Sequence, residues 1–228
     1  MSNIKVYLRQ WNQANQRKSD TRPDWFSYEK CYQSIKKGNI DLTIILDGTK
    51  ENHHFQFDPS DKIVEINGGS DAASLLECLR YIEKQDLKDD DIVYIVEDDH
   101  LHREGWDIVL KEAFDTAAHY VTLYDHPDKY FLRGYEGLKS QILQTKSCHW
   151  RTTPSTVNTY AGLWRTFRAH WKSHHIKYCL PEFTHDGYDH TKFMELWQAG
   201  SNLVSCIPGY ATHCENEFLS PTINWSKV

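Results

Sequence analysis

The sequence contains no apolar run approaching the roughly 18–20 residues needed to cross a bilayer, and its N-terminal stretch MSNIKVYLRQWNQ lacks the apolar core of a signal peptide. A cytoplasmic protein without a transmembrane segment is therefore expected. The six cysteines (Cys31, Cys78, Cys148, Cys179, Cys206 and Cys214) lie far apart and form no C-x-x-C pair, which argues for reduced thiols over a disulfide framework. There is no lysine-rich block: 26 Lys and Arg stand against 32 Asp and Glu, a formal net charge of −6. Nucleic acid and an anionic membrane surface, which both need clustered cations, are not expected partners. Internal repeats, low-complexity tracts and Gly/Ser linkers are also missing, so one domain over residues 1–228 is the simplest organisation. With 39% apolar and 25% charged residues, collagen-like, coiled-coil and wholly disordered chains are excluded.

Aromatic residues are abundant at 13%, including 8 Trp and 13 Tyr, and are accompanied by 13 His. Their flat faces and polar edges suit sugar rings and bases, and serve equally well in a core. Along the first half, strand and helix patterns alternate. Strands are expected at Ile4–Leu8, Asp41–Leu46, Lys62–Ile66, Asp91–Val96 and Tyr120–Tyr124, with helices at Trp25–Lys36, Ser70–Lys84 and Glu104–His119. Helices of this length between strands build βαβ units and hence a mostly parallel sheet flanked by helices. Residues from about 125 onward are richer in Tyr, Trp, Arg and His. A strand pair is expected there near Tyr130–Gly134 and Thr156–Leu163, with helices at Trp164–His174 and His190–Gly200 and a strand at Leu203–Ile207. The first half, about 1–124, reads as α/β, and about 125–228 as a substrate-facing extension of the same sheet.

In an open α/β sheet, ligands bind beyond the carboxyl ends of the strands. Glu97, Asp98 and Asp99 follow the apolar run Ile92–Val96 at such an end. Three successive carboxylates repel one another, and Mg²⁺ or Mn²⁺ would compensate because hard divalent ions prefer oxygen ligands. The alternative is a solvated acidic turn favouring the start of the next helix.

The run IVYIVEDDHLHREGW resembles the fourth strand and D-x-D-type motif of glycosyltransferases with the GT-A (Rossmann-like) fold, with Glu97 in the first acidic place and Asp99 in the last. The resemblance implies that Asp99 binds a divalent cation, Mn²⁺ or Mg²⁺, on the diphosphate of a nucleotide-sugar, with Glu97 and Asp98 helping to hold cation or ribose. It also implies that the nucleotide meets Arg9, Gln10 and Asp47 after the first two strands. The turn Asn67-Gly68-Gly69-Ser70 matches the small-residue turn of family 2 glycosyltransferases, which places Gly69 and Ser70 against the donor; a plain turn and N-cap would look the same. THDGYDHTKFMELWQAG is similar to the helix opening of inverting family 2 enzymes, whose catalytic base falls 11 residues before the glycine, here Asp189 before Gly200. A helix N-terminus favours an anion at Asp189, which could equally be an N-cap, and Asp186 is the second candidate base. His213, after the strand Leu203–Ile207, occupies the place of a late histidine ligand to the metal, or is structural. Trp150 and Trp164 are candidates for stacking on sugar, and Arg151 for binding phosphate. His53-His54 and His174-His175 lack zinc spacing and read as surface residues.

These features together predict a metal-dependent glycosyltransferase that moves a sugar, with inversion, from a nucleotide-sugar to a hydroxyl of a glycan or other acceptor. The alternatives are a nucleotidyltransferase of related fold, although Asn12–Arg22 lacks the usual glycine-rich basic loop, and a non-catalytic carbohydrate-binding protein.

Overall fold

A computed structural model of the chain describes residues 3–12, 21–184 and 188–228. The first half holds β1 (Ile4–Trp11), α1 (Tyr28–Lys36), β2 (Asp41–Asp47), β3 (Lys62–Ile66), α2 (Asp71–Glu83), β4 (Ile92–Val96), β5 (His100–His102), α3 (Trp106–Ala113) and β6 (Tyr120–Thr122). The second holds α4 (Asp128–Phe131), β7 (Ile142–Gln144), β8 (His149–Thr152), β9 (Tyr160–Leu163), α5 (Trp164–His170), α6 (Tyr188–Gln198), β10 (Leu203–Ile207) and β11 (Ala211–His213).

Among the described residues, nine strands form one sheet in the order β3-β2-β1-β4-β9-β6-β10-β8-β7, and β5 pairs with β11 in a small second sheet. β1–β4 run parallel, as do β6 and β10, while β9 and β8 run antiparallel to their neighbours. The sheet is therefore mostly parallel, as expected, and both halves of the chain contribute to it. Side-chain alternation sends Val6, Leu8, Tyr94 and Val96 into one core layer with Trp106 and Trp150, and Tyr7, Val93 and Ile95 into the other with Leu79, Trp164 and Phe193. With both faces covered, the strand interiors are continuously apolar, which is why IVYIV in β4 is buried throughout.

Several boundaries differ from expectation for local reasons. α1 starts three residues late because Ser27 caps it, its hydroxyl accepting from the Lys30 N–H at 3.0 Å. α3 ends at Ala113, whose carbonyl accepts the Thr116 hydroxyl at 2.6 Å. The strand expected at Tyr130–Gly134 is instead a short helix entered through Pro127, and β9 pairs with β4 and β6. His175 is a core residue between the hydroxyls of Tyr120 and Tyr160, at 2.9 Å from each, not a surface one. His53 and His54 are half-buried against Phe55, Phe57 and Tyr28.

Candidate functional site

A cleft of about 580 Å³ opens at the carboxyl ends of β1, β2 and β4. The parallel strands bring Arg9, Gln10 and Trp11 from the end of β1, Asp47 from β2, and Glu97, Asp98 and Asp99 from the turn after β4 to one rim. Because β9 is antiparallel, its entry also lies at this edge, and it adds Val157 and Asn158. Tyr188 and Asp189, the first residues of α6, also line it.

The small sheet completes the site. β11 pairs with β5 so that His213 stands opposite His100, the residue after Asp99. His213 Nε2 then lies 3.1 Å from Asp99 Oδ2, and His100 Nδ1 lies 3.2 Å from Oδ1. Arg22 donates to the same Oδ2 at 2.8 Å and to the Cys214 carbonyl at 2.9 Å. Burial pushes the Asp99 carboxyl up, but His213 and His100 outweigh it and hold the group well below the usual carboxylate range. Burial opposes charge on His213, yet Asp99, Glu97 and Glu215 raise it to about 9. Burial together with Asp71 pushes Glu97 up to about 8, against the pull of Arg9.

Of the expected metal ligands, Asp99 and His213 are brought together. Adjacent octahedral ligands at Mg²⁺ distances are about 3 Å apart, the spacing of Asp99 Oδ2 and His213 Nε2. The expected third ligand is not gathered with them: Glu97 lies beside Arg9 at 3.8 Å and accepts from the Thr159 hydroxyl at 3.2 Å. Among the described residues, no group of three or more His, Cys, Asp or Glu side chains is placed to hold a metal. Arg22 also holds Asp99 Oδ2, and His213 is raised to about 9 and so carries its proton at neutral pH; a cation at this pair would take the place of that proton and of the Arg22 contact.

Other expected residues divide clearly. Asp47 accepts from the Gly68 and Gly69 N–H groups at 2.9 and 3.1 Å, and so holds the turn before α2 against the cleft. Ser70 lines the cleft and also caps α2 through the Ala73 N–H at 3.3 Å. Asp98 accepts from the Trp11 N–H at 3.3 Å. Arg9 is buried, donating to Asp71 Oδ1 at 2.6 Å, but its Nε and Nη1 and both ends of the Gln10 amide find no hydrogen-bond partner among the described residues. Buried donors without partners at a cleft wall are positioned for a ligand. Asp186 lies outside the described residues.

The expected sugar- and phosphate-binding residues are not in the cleft. Trp150 is fully buried, its indole N–H donating to Thr145 Oγ1 at 3.1 Å. Trp164 packs edge-on against Trp171 in the core. Arg151 is bound to Asp125 at 2.7 Å and covered by the Tyr130 ring. All three serve the packing of β8 and α5. Conversely, Arg22, Asp71, Asn158, Tyr188 and Glu215 line the cleft without having been expected there. Asp71 and Tyr188 sit beside residues already singled out, so proximity was a usable signal; Arg22, Asn158 and Glu215 offered none.

No protein-family model and no curated protein sequence matches the chain. Among solved structures, S. aureus TarS 1–349 aligns with a TM-score of 0.51 at 10% identity, covering 89% of this chain and 57% of that one. The fold is GT-A-like. Other structures with this likeness are the Francisella tularensis 2-C-methyl-D-erythritol 4-phosphate cytidylyltransferase (TM-score 0.47, 14% identity, 99% of this chain and 100% of that one) and the galactosyltransferase LgtC in complex with donor and acceptor sugar analogues (0.44, 11%, 84% and 70%). At these identities the likeness is one of fold. Among the described residues, no helix is long and apolar enough to cross a membrane.

Proposed function

We propose that the chain is a metal-dependent glycosyltransferase that transfers a sugar from a nucleotide-sugar to an acceptor hydroxyl with inversion. The observation that carries this reading is the convergence, in one cleft at the strand ends, of the Asp99–His213 pair, the polar atoms of Arg9 and Gln10 that make no hydrogen bond, and Asp189. Arg9 and Gln10 suit phosphate and hydroxyl oxygens, and the turn at Gly69 and Ser70 offers a helix N-terminus to an anion. Mn²⁺ or Mg²⁺ held by Asp99 and His213 would supply positive charge to the leaving diphosphate. Asp189 takes the proton of the acceptor hydroxyl as that oxygen bonds to the anomeric carbon; the bond from that carbon to the diphosphate breaks, and a nucleoside diphosphate leaves.

Calorimetry with UDP and GDP, with and without Mn²⁺, tests the reading. One of the two nucleotides should bind the wild type at least tenfold more tightly with Mn²⁺, and Asp99→Asn should lose that enhancement while keeping the native circular dichroism spectrum. Metal-independent binding that the substitution leaves untouched would refute the role of Asp99. Pyrophosphate release from a nucleoside triphosphate and a sugar phosphate would identify a nucleotidyltransferase instead.

A further inference from the structure

A second chamber of about 460 Å³ adjoins the cleft and shares Val157 and Asp189 with it. The proposed base therefore stands in the wall between two spaces, one already assigned to the donor. We propose that the second chamber receives the acceptor and is built for an uncharged, hydroxyl-bearing one, an unphosphorylated glycoside in preference to a sugar phosphate or sugar acid.

The charges on its wall carry this. Lys129 is the only lysine or arginine among the described lining residues, and its ammonium is committed to both oxygens of Asp128 at 2.8 and 2.9 Å, with 1% of its side chain exposed. His126 Nδ1 lies 2.9 Å from Asp128 Oδ1 as well. Among the described residues, a phosphate entering the chamber would find no lysine or arginine without a carboxylate, and would face the Asp189 carboxylate at the junction.

Neutral hydrogen-bonding groups are present in its place. Ser155 Oγ, Tyr135 OH and His190 Nδ1 form a triangle with sides of 3.0, 3.2 and 3.3 Å, a set that can exchange partners with sugar hydroxyls. Leu132, Val157 and the Tyr135 ring supply apolar surface for the C–H faces of a sugar. An acceptor seated there would present a hydroxyl to Asp189 from the side opposite the donor. This proposal rests on the glycosyltransferase reading.

Two exposed wall positions allow a test in the intact protein. A Cβ built at Gly134 meets no heavy atom within 4 Å and the residue does not need a left-handed backbone, so Gly134→Trp adds bulk without strain. Leu132 is half exposed, and Leu132→Lys adds an uncommitted ammonium. Saturation-transfer NMR with methyl glycosides of glucose, galactose, mannose and N-acetylglucosamine, and with their 6-phosphates, is run in the presence of UDP or GDP. For the wild type, at least one methyl glycoside should bind ten or more times better than its phosphate. Gly134→Trp should lose that binding tenfold or more while its nucleotide affinity stays within twofold, and Leu132→Lys should improve phosphate binding about tenfold. Equal or better binding of phosphates by the wild type, or undiminished glycoside binding by Gly134→Trp, overturns the proposal. Nucleotide binding with no glycoside binding sinks the chamber alone, whereas glycoside binding without nucleotide affinity sinks the transferase reading and the acceptor role with it, leaving the chamber a pocket for neutral glycosides.

Discussion

A lysine donates hydrogen bonds and accepts none, and in the cleft wall that asymmetry fixes a direction. Buried Lys192 donates to Asn158 Oδ1 at 2.8 Å, which obliges Asn158 Nδ2 to face outward and donate to the Tyr188 hydroxyl at 2.6 Å. Tyr188 donates in turn to Asp71 Oδ2 at 2.6 Å, and the other oxygen of Asp71 holds Arg9. Burial lowers the lysine's affinity for its proton, and its hydrogen bonds are to the Asn158 carbonyl and the Tyr160 hydroxyl. Lys192→Met should fill the space but leave the Asn158 carbonyl unpaired, at a loss of about 1–3 kcal/mol. The freed chain should also loosen Arg9 and weaken binding of the favoured nucleoside diphosphate several-fold by calorimetry; unchanged affinity would confine Lys192 to packing. Asp189→Asn is expected to keep that affinity and lose transfer by about 10²–10⁴-fold, the range for a general base. Loss of nucleotide binding in that variant would make Asp189 a binding residue.

The turn from β3 into α2 shows how an element carries the site. Gly68 is the sterically demanding position, since an added Cβ would stand 2.6 Å from the Ser74 N and 2.8 Å from Asp47 Oδ2. Gly69 has φ +75° but open space around its Cβ position. Gly68→Ala should therefore cost about 1–3 kcal/mol through overpacking, and Gly69→Ala only the roughly 1–2 kcal/mol of a left-handed backbone. Thermal denaturation of the two variants checks the order. The sequence pattern made the turn and its cap visible, but both glycines looked alike, because the distinction depends on Ser74 and Asp47 closing in from other elements.

The segment around His53 supports a pH prediction. Its imidazole packs on Phe55 and Phe57 with ring centroids 4.4 Å away, and burial lowers its pKa to about 4. The unfolded chain, with histidine near 6.5, binds the proton first. Stability should accordingly fall as pH drops from about 6.5 toward 4, and rise with pH through that window. Replacing the ring in His53→Phe should flatten the midpoint-versus-pH curve there; an unchanged slope would show that His53 does not contribute.

For the whole molecule, the tryptophans decide a division of labour between core and cleft. Trp150 lies in the layer with Trp106, and Trp164 in the opposite layer, so aromatic richness here builds two cores beneath the cleft. Trp150→Ala should cost about 3–5 kcal/mol, while nucleotide affinity per folded molecule stays at the wild-type value. A selective loss of ligand binding with stability intact would return Trp150 to the site.

The sequence by itself determined the strand–helix alternation, the mostly parallel sheet and the acidic turn at the end of β4, because periodicity and apolar runs report how each short segment is buried. It also marked Arg9, Asp47, Ser70, Asp99, Asp189 and His213, all of which line the cleft. Only the tertiary structure decided that Arg22 and His213, separated from Asp99 by 77 and 114 residues, meet on one carboxylate oxygen. The tertiary structure also put Trp150, Arg151 and Trp164 to work in packing. The physical reason is register. The three-residue strands β5 and β11 and the antiparallel insertion of β9 have too little local pattern to be read alone, and their pairing sets which distant side chains converge.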